Sequence, residues 1–163
     1  MDPTHSKIRV VVVDDSTVVR RFLSDAISSH PGLEVVGTAS HGALAVQKLA
    51  LLKPHVITMD VEMPEMSGLE ALVAIRATDP TLPIIMVSSL TERGAATTLE
   101  ALSLGATDYV TKPSSARAGA DKDDFVKDLL AKILTLGGPR GASRSVSPSP
   151  VLSAVRPKIA VQP

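Results

Sequence analysis

The chain has 163 residues, of which 44% are hydrophobic, so it can bury one core of ordinary size and still carry a tail. Two Phe, one Tyr and no Trp leave few rings for stacking on nucleic-acid bases. The absence of Cys excludes disulfide bonds, thiolate metal sites and a cysteine nucleophile.

The formal net charge of zero conceals an uneven distribution. Residues 1–136 carry 13 basic and 17 acidic side chains, a balance of −4, whereas residues 137–163 carry four basic side chains and no acidic one. Because affinity for nucleic acids comes mainly from neutralising phosphates, we expect no nucleic-acid partner for the acidic part. Four dispersed cations in the tail are typical of a solvated linker.

The N-terminus and the length of the apolar runs indicate in which cellular compartment the protein is expected. The first residues, MDPTHSKIR, lack the apolar core of a signal peptide, and no apolar run approaches the roughly 18 residues of a membrane span. We therefore expect a cytoplasmic protein without membrane insertion.

Short apolar runs alternate with longer segments of helical period along the chain. The apolar runs predict buried strands over residues 7–13, 33–38, 56–59, 84–87 and 108–111. The intervening segments predict helices over residues 16–29, 42–52, 68–78, 91–104 and 121–136. This alternation is typical of a doubly wound α/β fold, a parallel sheet covered by helices on both faces.

Apolar residues at helical spacing predict which side of each helix faces the sheet. In the fourth helix the apolar residues at helical spacing are Ala95, Leu99 and Leu102. In the last helix the inward residues are predicted to be Phe125, Val126, Leu129, Leu130 and Ile133.

The pattern divides the chain into three segments. We expect a disordered N-terminus over residues 1–6, one domain over residues 7–136, and a flexible linker rich in Gly, Pro and Ser over residues 137–163. Residues 114–120 form a longer connection than the alternation needs, and no role is assigned to them.

Charged and polar residues stand where the predicted strands end. Asp14 and Asp15 follow the first strand, Asp60 the third, Ser88 the fourth and Lys112 the fifth. Ligands of doubly wound sheets bind at this edge. Three carboxylates there would repel one another, and a hard divalent cation such as Mg²⁺ or Mn²⁺ would offset that repulsion.

Each of these residues also has an ordinary structural interpretation. Asp15 could cap the helix that starts near Ser16, and Asp60 could form the turn before Met63-Pro64. Ser88 could bond to the nearby backbone, and Lys112 could be a surface lysine. The shared position of all five residues at one sheet edge favours a common site over separate coincidences.

The residue types suit phosphoryl transfer to Asp60. A carboxylate that attacks a phosphoryl group needs its own charge and that of the phosphate offset, which a cation and Lys112 would do. The Ser88 hydroxyl could then donate to the new oxygens and start a switch. A cis peptide bond at Pro113 is a candidate means of aiming Lys112 at the site.

Several motifs together resemble a known family. VVVDDS, MDVEMPEMSG, MVSS and DYVTKP, in this order, resemble the receiver domain of bacterial two-component response regulators over residues 7–136. The resemblance implies a flavodoxin-like (βα)5 fold with strand order 2-1-3-4-5 and a histidine kinase as phosphodonor. It implies Asp60 as the phosphoacceptor.

The same resemblance assigns roles to the other residues of the site. It implies a Mg²⁺ site formed by Asp14, Asp15, Asp60 and the backbone carbonyl of Glu62. It implies Ser88 as the hydroxyl switch, Tyr109 as a rotating aromatic residue, and Lys112 as the phosphate-binding lysine. The signalling face is implied to lie around residues 91–136.

A narrower resemblance is carried by SSLTERGAATTLEALSLGATDYVTKPS, which is similar to the receiver half of chemotaxis protein-glutamate methylesterases. In that family an esterase domain with a Ser, His and Asp triad follows a linker and acts on chemoreceptors, and phosphorylation relieves its obstruction by the receiver. We find no such triad in this chain. We therefore expect either a regulatory part whose esterase output domain is absent or a free-standing response regulator.

This chain alone is expected to catalyse nothing beyond its own phosphorylation and autodephosphorylation. Two other classes fit less well. A phosphatase with an aspartate nucleophile would use Asp60 and Glu62, but in such enzymes the nucleophile follows the first strand. A flavin-binding module on the same fold would place the flavin phosphate against Asp14 and Asp15, which would repel it.

Overall fold

Strands and helices alternate along the described residues as predicted. The computed structural model describes residues 6–63, 66–89, 91–113 and 120–138. The strands are β1 (Ile8–Val13), β2 (Leu33–Ala39), β3 (Val56–Asp60), β4 (Ile84–Ser88) and β5 (Asp108–Thr111). The helices are α1 (Thr17–Ser28), α2 (Gly42–Leu52), α3 (Gly68–Thr78), α4 (Glu92–Ser103) and α5 (Ala120–Gly137).

The five strands form one parallel sheet in the order β2-β1-β3-β4-β5. This confirms the predicted doubly wound, flavodoxin-like fold. The register pairs Val13 of β1 with Met59 of β3, and Asp60 of β3 with Val87 of β4. The carboxyl ends of β1, β3 and β4 therefore lie side by side, and the residues that follow them meet at one edge.

Each face of the sheet has its own hydrophobic core, because successive residues of a strand point to opposite faces. Val11 and Val13 of β1 pack with residues of α2, α3 and α4, whereas Val10 and Val12 pack with residues of α1 and α5. The central strands are consequently apolar on both sides, which explains why their sequences read as continuous apolar runs.

Polar side chains fix the start of most helices. Ser16, Ser67 and Thr91 accept hydrogen bonds from backbone N–H groups of the first turns of α1, α3 and α4. Ser16, and not Asp15, is the N-cap of α1. Asp15 is therefore free of the capping role that was its ordinary structural interpretation.

The helix α4 forms as predicted, but the apolar residues that show its helical spacing do not mark its buried side. Ala95 is exposed, Leu99 is 68% exposed and Leu102 is only half-buried. The buried residues are instead Gly94, Thr98 and Ala101. These small residues allow a close approach to the sheet, and the Thr98 hydroxyl is satisfied by donating to the Gly94 carbonyl at 2.7 Å. Because the inward side lacks large apolar residues, the helical period of the sequence pointed to the wrong side.

The helix α5 buries the side that its apolar spacing predicts. Phe125, Leu129 and Ile133 of α5 are buried, and Val126 and Leu130 pack against them while partly exposed. None of the helices within the described ranges is long and apolar enough to span a lipid bilayer.

The opposite environments of two leucines give a test of the fold. We expect Leu129→Ala to lower the free energy of unfolding by about 2 to 5 kcal/mol, because Leu129 is fully buried and its loss leaves a cavity. We expect Leu99→Ala, the same deletion at an exposed site of α4, to change it by about 0.5 kcal/mol or less. Urea denaturation measures both values, and similar losses in the two variants would contradict the orientation of α4.

Candidate functional site

Three carboxylates converge at the carboxyl ends of β1 and β3. Asp14 and Asp15 follow β1, and Asp60 is the last residue of β3. One oxygen of each side chain lies within 4.8 Å of the other two. Asp14 is fully buried and Asp60 is 5% exposed, whereas Asp15 is exposed. Two of the three charges therefore lack most of their contact with water.

Three of the four polar groups of Asp14 are hydrogen-bonded, and the fourth, Oδ2, faces the charge of Lys112. Its backbone N–H donates to the Ala39 carbonyl of β2 at 3.1 Å, and its carbonyl accepts from the Arg20 guanidinium at 2.8 Å. Its Oδ1 accepts from the Ser16 backbone N–H at 2.9 Å, and its Oδ2 lies 3.1 Å from Lys112 Nζ. This carboxylate is thus fixed before any ligand arrives.

Lys112 brings a positive charge to the two buried carboxylates. Its Nζ lies 3.1 Å from Asp14 Oδ2 and 3.3 Å from Asp60 Oδ1. Its backbone N–H donates to the Ser88 carbonyl at 2.7 Å, which ties the end of β5 to the end of β4. The structure therefore brings Asp14, Asp60 and Lys112 together at one edge of the sheet, as predicted.

The Lys112–Pro113 peptide bond is trans, since no peptide bond within the described ranges is cis, and the cis candidate at Pro113 is wrong. The trans bond already allows the lysine to reach both carboxylates. The cis form before proline is disfavoured by about 0.5 to 1 kcal/mol.

One lysine does not neutralise the site. Burial and the charge of Asp14 together raise the pKa of Asp60 from 3.8 to about 7, although Lys112 and the backbone N–H of Glu62 oppose the rise. Burial alone would lower the pKa of Lys112, but the charges of Asp60 and Asp14 outweigh it and raise that pKa. The ammonium therefore stays charged, while Asp60 is poised to lose its proton near neutral pH.

The residues fit a hard divalent cation. Three ionised carboxylates beside one ammonium leave an excess of two negative charges. Asp14 Oδ2 is buried and receives the charge of Lys112 without a well-aligned hydrogen bond, so it retains capacity for a further ligand. Carboxylate oxygens are the donors that Mg²⁺ and Mn²⁺ prefer. The exposed Asp15 lies on the side open to solvent, from which an ion could enter.

The other predicted site residues lie at different distances from this cluster. Ser88 is buried at the end of β4, and its strand pairs with that of Asp60. Glu62 has an exposed side chain, and its backbone N–H donates to Asp60 Oδ1 at 3.4 Å. Tyr109 is 42% exposed, with Lys132 Nζ 5.2 Å from the centre of its ring. The tyrosine side chain thus faces solvent rather than the carboxylates.

Two contributors to the site were missed at the level of sequence. A Cβ at Gly68, the first residue of α3, would collide with the carbonyl of Asp60 and crowd the backbone of Val61. Glycine is therefore needed where α3 starts against the end of β3. Arg20 contacts the Asp14 carbonyl from α1. A glycine opening a helix was a usable signal for the first, but nothing in the sequence distinguished Arg20 from its neighbour Arg21.

The fold and the acidic site define a class of protein. A family model described as the response regulator receiver domain matches residues 10–122. The chain therefore belongs to the response regulator receiver domain family, as its motifs predicted.

Individual relatives narrow this class. A protein-glutamate methylesterase/protein-glutamine glutaminase of a Nocardioides species is 49% identical over 156 residues, which cover 95% of this chain and 42% of the relative. A protein of the same description from Xanthomonas campestris is 56% identical over 126 residues, which cover 77% of this chain and 35% of the relative. Both matches confirm the narrower resemblance. The chain spans less than half the length of these curated relatives.

A solved structure agrees with this assignment. The crystal structure of the response regulator domain of Thermotoga maritima CheB is 49% identical, with a TM-score of 0.71. The match covers 80% of this chain and 96% of the solved chain, so the similarity extends over nearly the whole of the solved domain.

The raised pKa of Asp60 predicts a pH-dependent effect of Asp60→Asn on stability without divalent metal. Between pH 3.8 and about 7 the folded protein keeps a proton on Asp60 that the unfolded chain has released, so stability falls as the pH rises through this window. Above about pH 7 Asp60 is charged in both states, and the loss of stability caused by its burial is complete. We expect the variant to raise the free energy of unfolding by roughly 3 kcal/mol at pH 8 and by much less at pH 4.

Chemical denaturation at the two pH values measures this difference. Asp25→Asn, which removes an exposed carboxylate of α1, is the matched control and is expected to change stability by about 0.5 kcal/mol or less at both. An equal gain for Asp60→Asn at pH 8 and pH 4 would contradict the raised pKa.

Proposed function

We propose that this receiver domain accepts a phosphoryl group from a histidine kinase on Asp60, in the cytoplasm, and thereby controls a protein-glutamate methylesterase. One observation carries the proposal: Asp60 is buried to 5% exposure at a strand end, with Lys112 Nζ at 3.3 Å and the oxygens of Asp14 and Asp15 within 4.8 Å. Family membership and the methylesterase relatives support it.

The transfer is a displacement at phosphorus. An oxygen of the Asp60 carboxylate attacks the phosphorus of the donor's phosphohistidine, a phosphorus–oxygen bond forms, and the phosphorus–nitrogen bond breaks as the imidazole leaves with its electron pair. Burial helps, because a carboxylate with little hydration loses little solvent as it reacts. Hydrolysis of the acyl phosphate later restores the carboxylate and releases inorganic phosphate.

The surrounding residues offset the negative charge. Lys112 already lies between Asp14 and Asp60, and its Nζ donates to an oxygen of the transferred group. When bound by Asp14, Asp15, Asp60 and the backbone carbonyl of Glu62, Mg²⁺ or Mn²⁺ supplies the remaining positive charge. Asp14 keeps its geometry throughout, because its backbone and its Oδ1 are tied to β2 and to α1.

Ser88 and Tyr109 convert the new charge into a change of shape. The Ser88 hydroxyl makes no hydrogen bond to the described residues, so it is available to donate to a phosphoryl oxygen on the neighbouring strand. As Ser88 moves toward the phosphoryl group to make this hydrogen bond, it draws in the start of the segment that leads to α4. Tyr109 lies outward on β5 and follows the space that this segment vacates.

The output surface lies on α4 and β5. Leu99 is 68% exposed, Leu104 is 41% exposed and Tyr109 is 42% exposed. Exposed apolar side chains of this kind are available to pack against another protein domain. We assign the output surface to the esterase domain that acts on chemoreceptors, or to a partner in its place.

The phosphoacceptor role of Asp60 can be tested by labelling. We expect the chain to gain one phosphoryl group from acetyl phosphate with Mg²⁺, and Asp60→Asn to gain none, because an amide does not form the acyl phosphate. Phosphate-affinity electrophoresis and intact mass measure the product. Asp25→Asn should be labelled like the wild type, whereas labelling of Asp60→Asn at the same rate would sink the assignment.

The output surface gives a separate test in a protein that joins this chain to the catalytic region of the Nocardioides relative. We expect Leu99→Ser to weaken the dependence of methyl-ester hydrolysis on phosphorylation by about tenfold, while labelling of Asp60 is unchanged, because Leu99 is exposed on α4. Val73→Ser, at a half-exposed apolar site of α3, is the control and should have little effect. Equal effects of the two variants would rule out the assigned surface.

A further inference from the structure

Asp15 is the least supported carboxylate of the site. Its side chain is exposed, and within the described ranges no hydrogen bond fixes its oxygens. Asp14, by contrast, is tied down by four contacts. A ligand without contacts of its own takes its direction from the backbone that carries it, so the peptide between Asp14 and Asp15 decides where the Asp15 carboxylate points.

Arg20 holds that peptide. Its Nη1 donates to the Asp14 carbonyl at 2.8 Å and its Nη2 donates to Thr17 Oγ1 at 3.2 Å, while its backbone N–H donates to the Ser16 carbonyl at 2.9 Å. The planar guanidinium thus bridges the two ends of the connection between β1 and α1, in a fork that a lysine cannot reproduce. The Asp14 carbonyl and the Asp15 N–H belong to one rigid planar group.

We propose that Arg20 is a positioning residue of the divalent-cation site, which acts by fixing the Asp14–Asp15 peptide and so aiming the Asp15 carboxylate. This inference rests on the proposed function, because it assumes that Asp15 is a ligand. Arg20 does not touch the ion; it acts through the peptide that it holds.

Charge alone predicts the opposite effect. The Arg20 guanidinium is a cation near the ion's site, so its removal would strengthen binding of a divalent cation if electrostatics were its whole influence. Loss of positioning weakens binding instead. The sign of the change therefore separates the two explanations.

The neighbouring residue supplies a matched control. Arg21 is exposed and its side chain makes no hydrogen bond within the described residues. Arg21→Gln removes the same charge as Arg20→Gln from the same turn of α1 and breaks no such contact.

Titration with Mn²⁺, followed by the electron paramagnetic resonance signal of the free ion, measures affinity without relying on phosphorylation. We expect Arg20→Gln to bind Mn²⁺ about tenfold more weakly than the wild type, at the lower end of the range for residues that orient metal ligands. Arg21→Gln should bind as the wild type does or slightly more tightly. Arg20→Lys keeps the charge but not the fork, and should remain at least threefold weaker.

Labelling by acetyl phosphate gives a second readout. In Arg20→Gln the Mg²⁺ concentration for half-maximal rate should rise about tenfold, while the rate at saturating Mg²⁺ stays near that of the wild type. Thr17→Val, which removes the other anchor of the guanidinium, should shift the half-maximal concentration in the same direction by a smaller factor and serves if Arg20→Gln does not fold.

Either of two results would overturn the proposal. Unchanged or tighter Mn²⁺ binding by Arg20→Gln, with the wild type losing affinity on Asp15→Asn, would refute the role of Arg20 and leave the cation site intact. Wild-type Mn²⁺ binding that is insensitive to both Asp15→Asn and Asp60→Asn would refute the site itself, and the role of Arg20 with it.

Discussion

The repulsion between Asp14 and Asp60 is the interaction on which the rest of the site depends. Two carboxylates removed from water at neighbouring strand ends destabilise the fold unless other charges offset them. The strand order supplies the nearest offset, because it brings Lys112 from the edge strand β5 to within 3.3 Å of both. Lys112 compensates only part of the charge, and the pKa of Asp60 near 7 reflects what remains.

This incomplete compensation suits a switch. A site that was already neutral would gain little from a cation, whereas this one is stabilised by each positive charge that it receives. A phosphoryl group would add to the negative charge that has to be offset. Ser88, whose hydroxyl makes no hydrogen bond to the described residues, and the outward Tyr109 stand on the two strands beyond Asp60. Under the proposed function, a change at the site would pass through them to the exposed Leu99 of α4. Local instability and regulatory capacity therefore have the same physical origin.

Features that depend on local patterns of residues could be predicted from the sequence. Bounds of strands and helices came within one or two residues, and the motifs at the strand ends located Asp14, Asp60 and Lys112 together. The orientation of α4 was not predictable in this way, because its buried side is made of small residues and Leu99 faces outward. The contact of Arg20 with a backbone carbonyl likewise depends on tertiary geometry, which side-chain periodicity does not record.

The strand order also governs how the chain acquires its site during folding. Asp60 and Lys112 are separated by 52 positions, and β1 must pair with β3 across the whole of β2 and α2 before the carboxylates meet. In the early, expanded chain these groups are apart and hydrated, so their repulsion contributes little to the barrier that folding must cross. The repulsion destabilises the chain only once the central strands are in register, and it therefore accelerates unfolding of the native state. Neutralisation of the site should therefore appear chiefly in the unfolding arm of a chevron plot, as a longer lifetime of the native state.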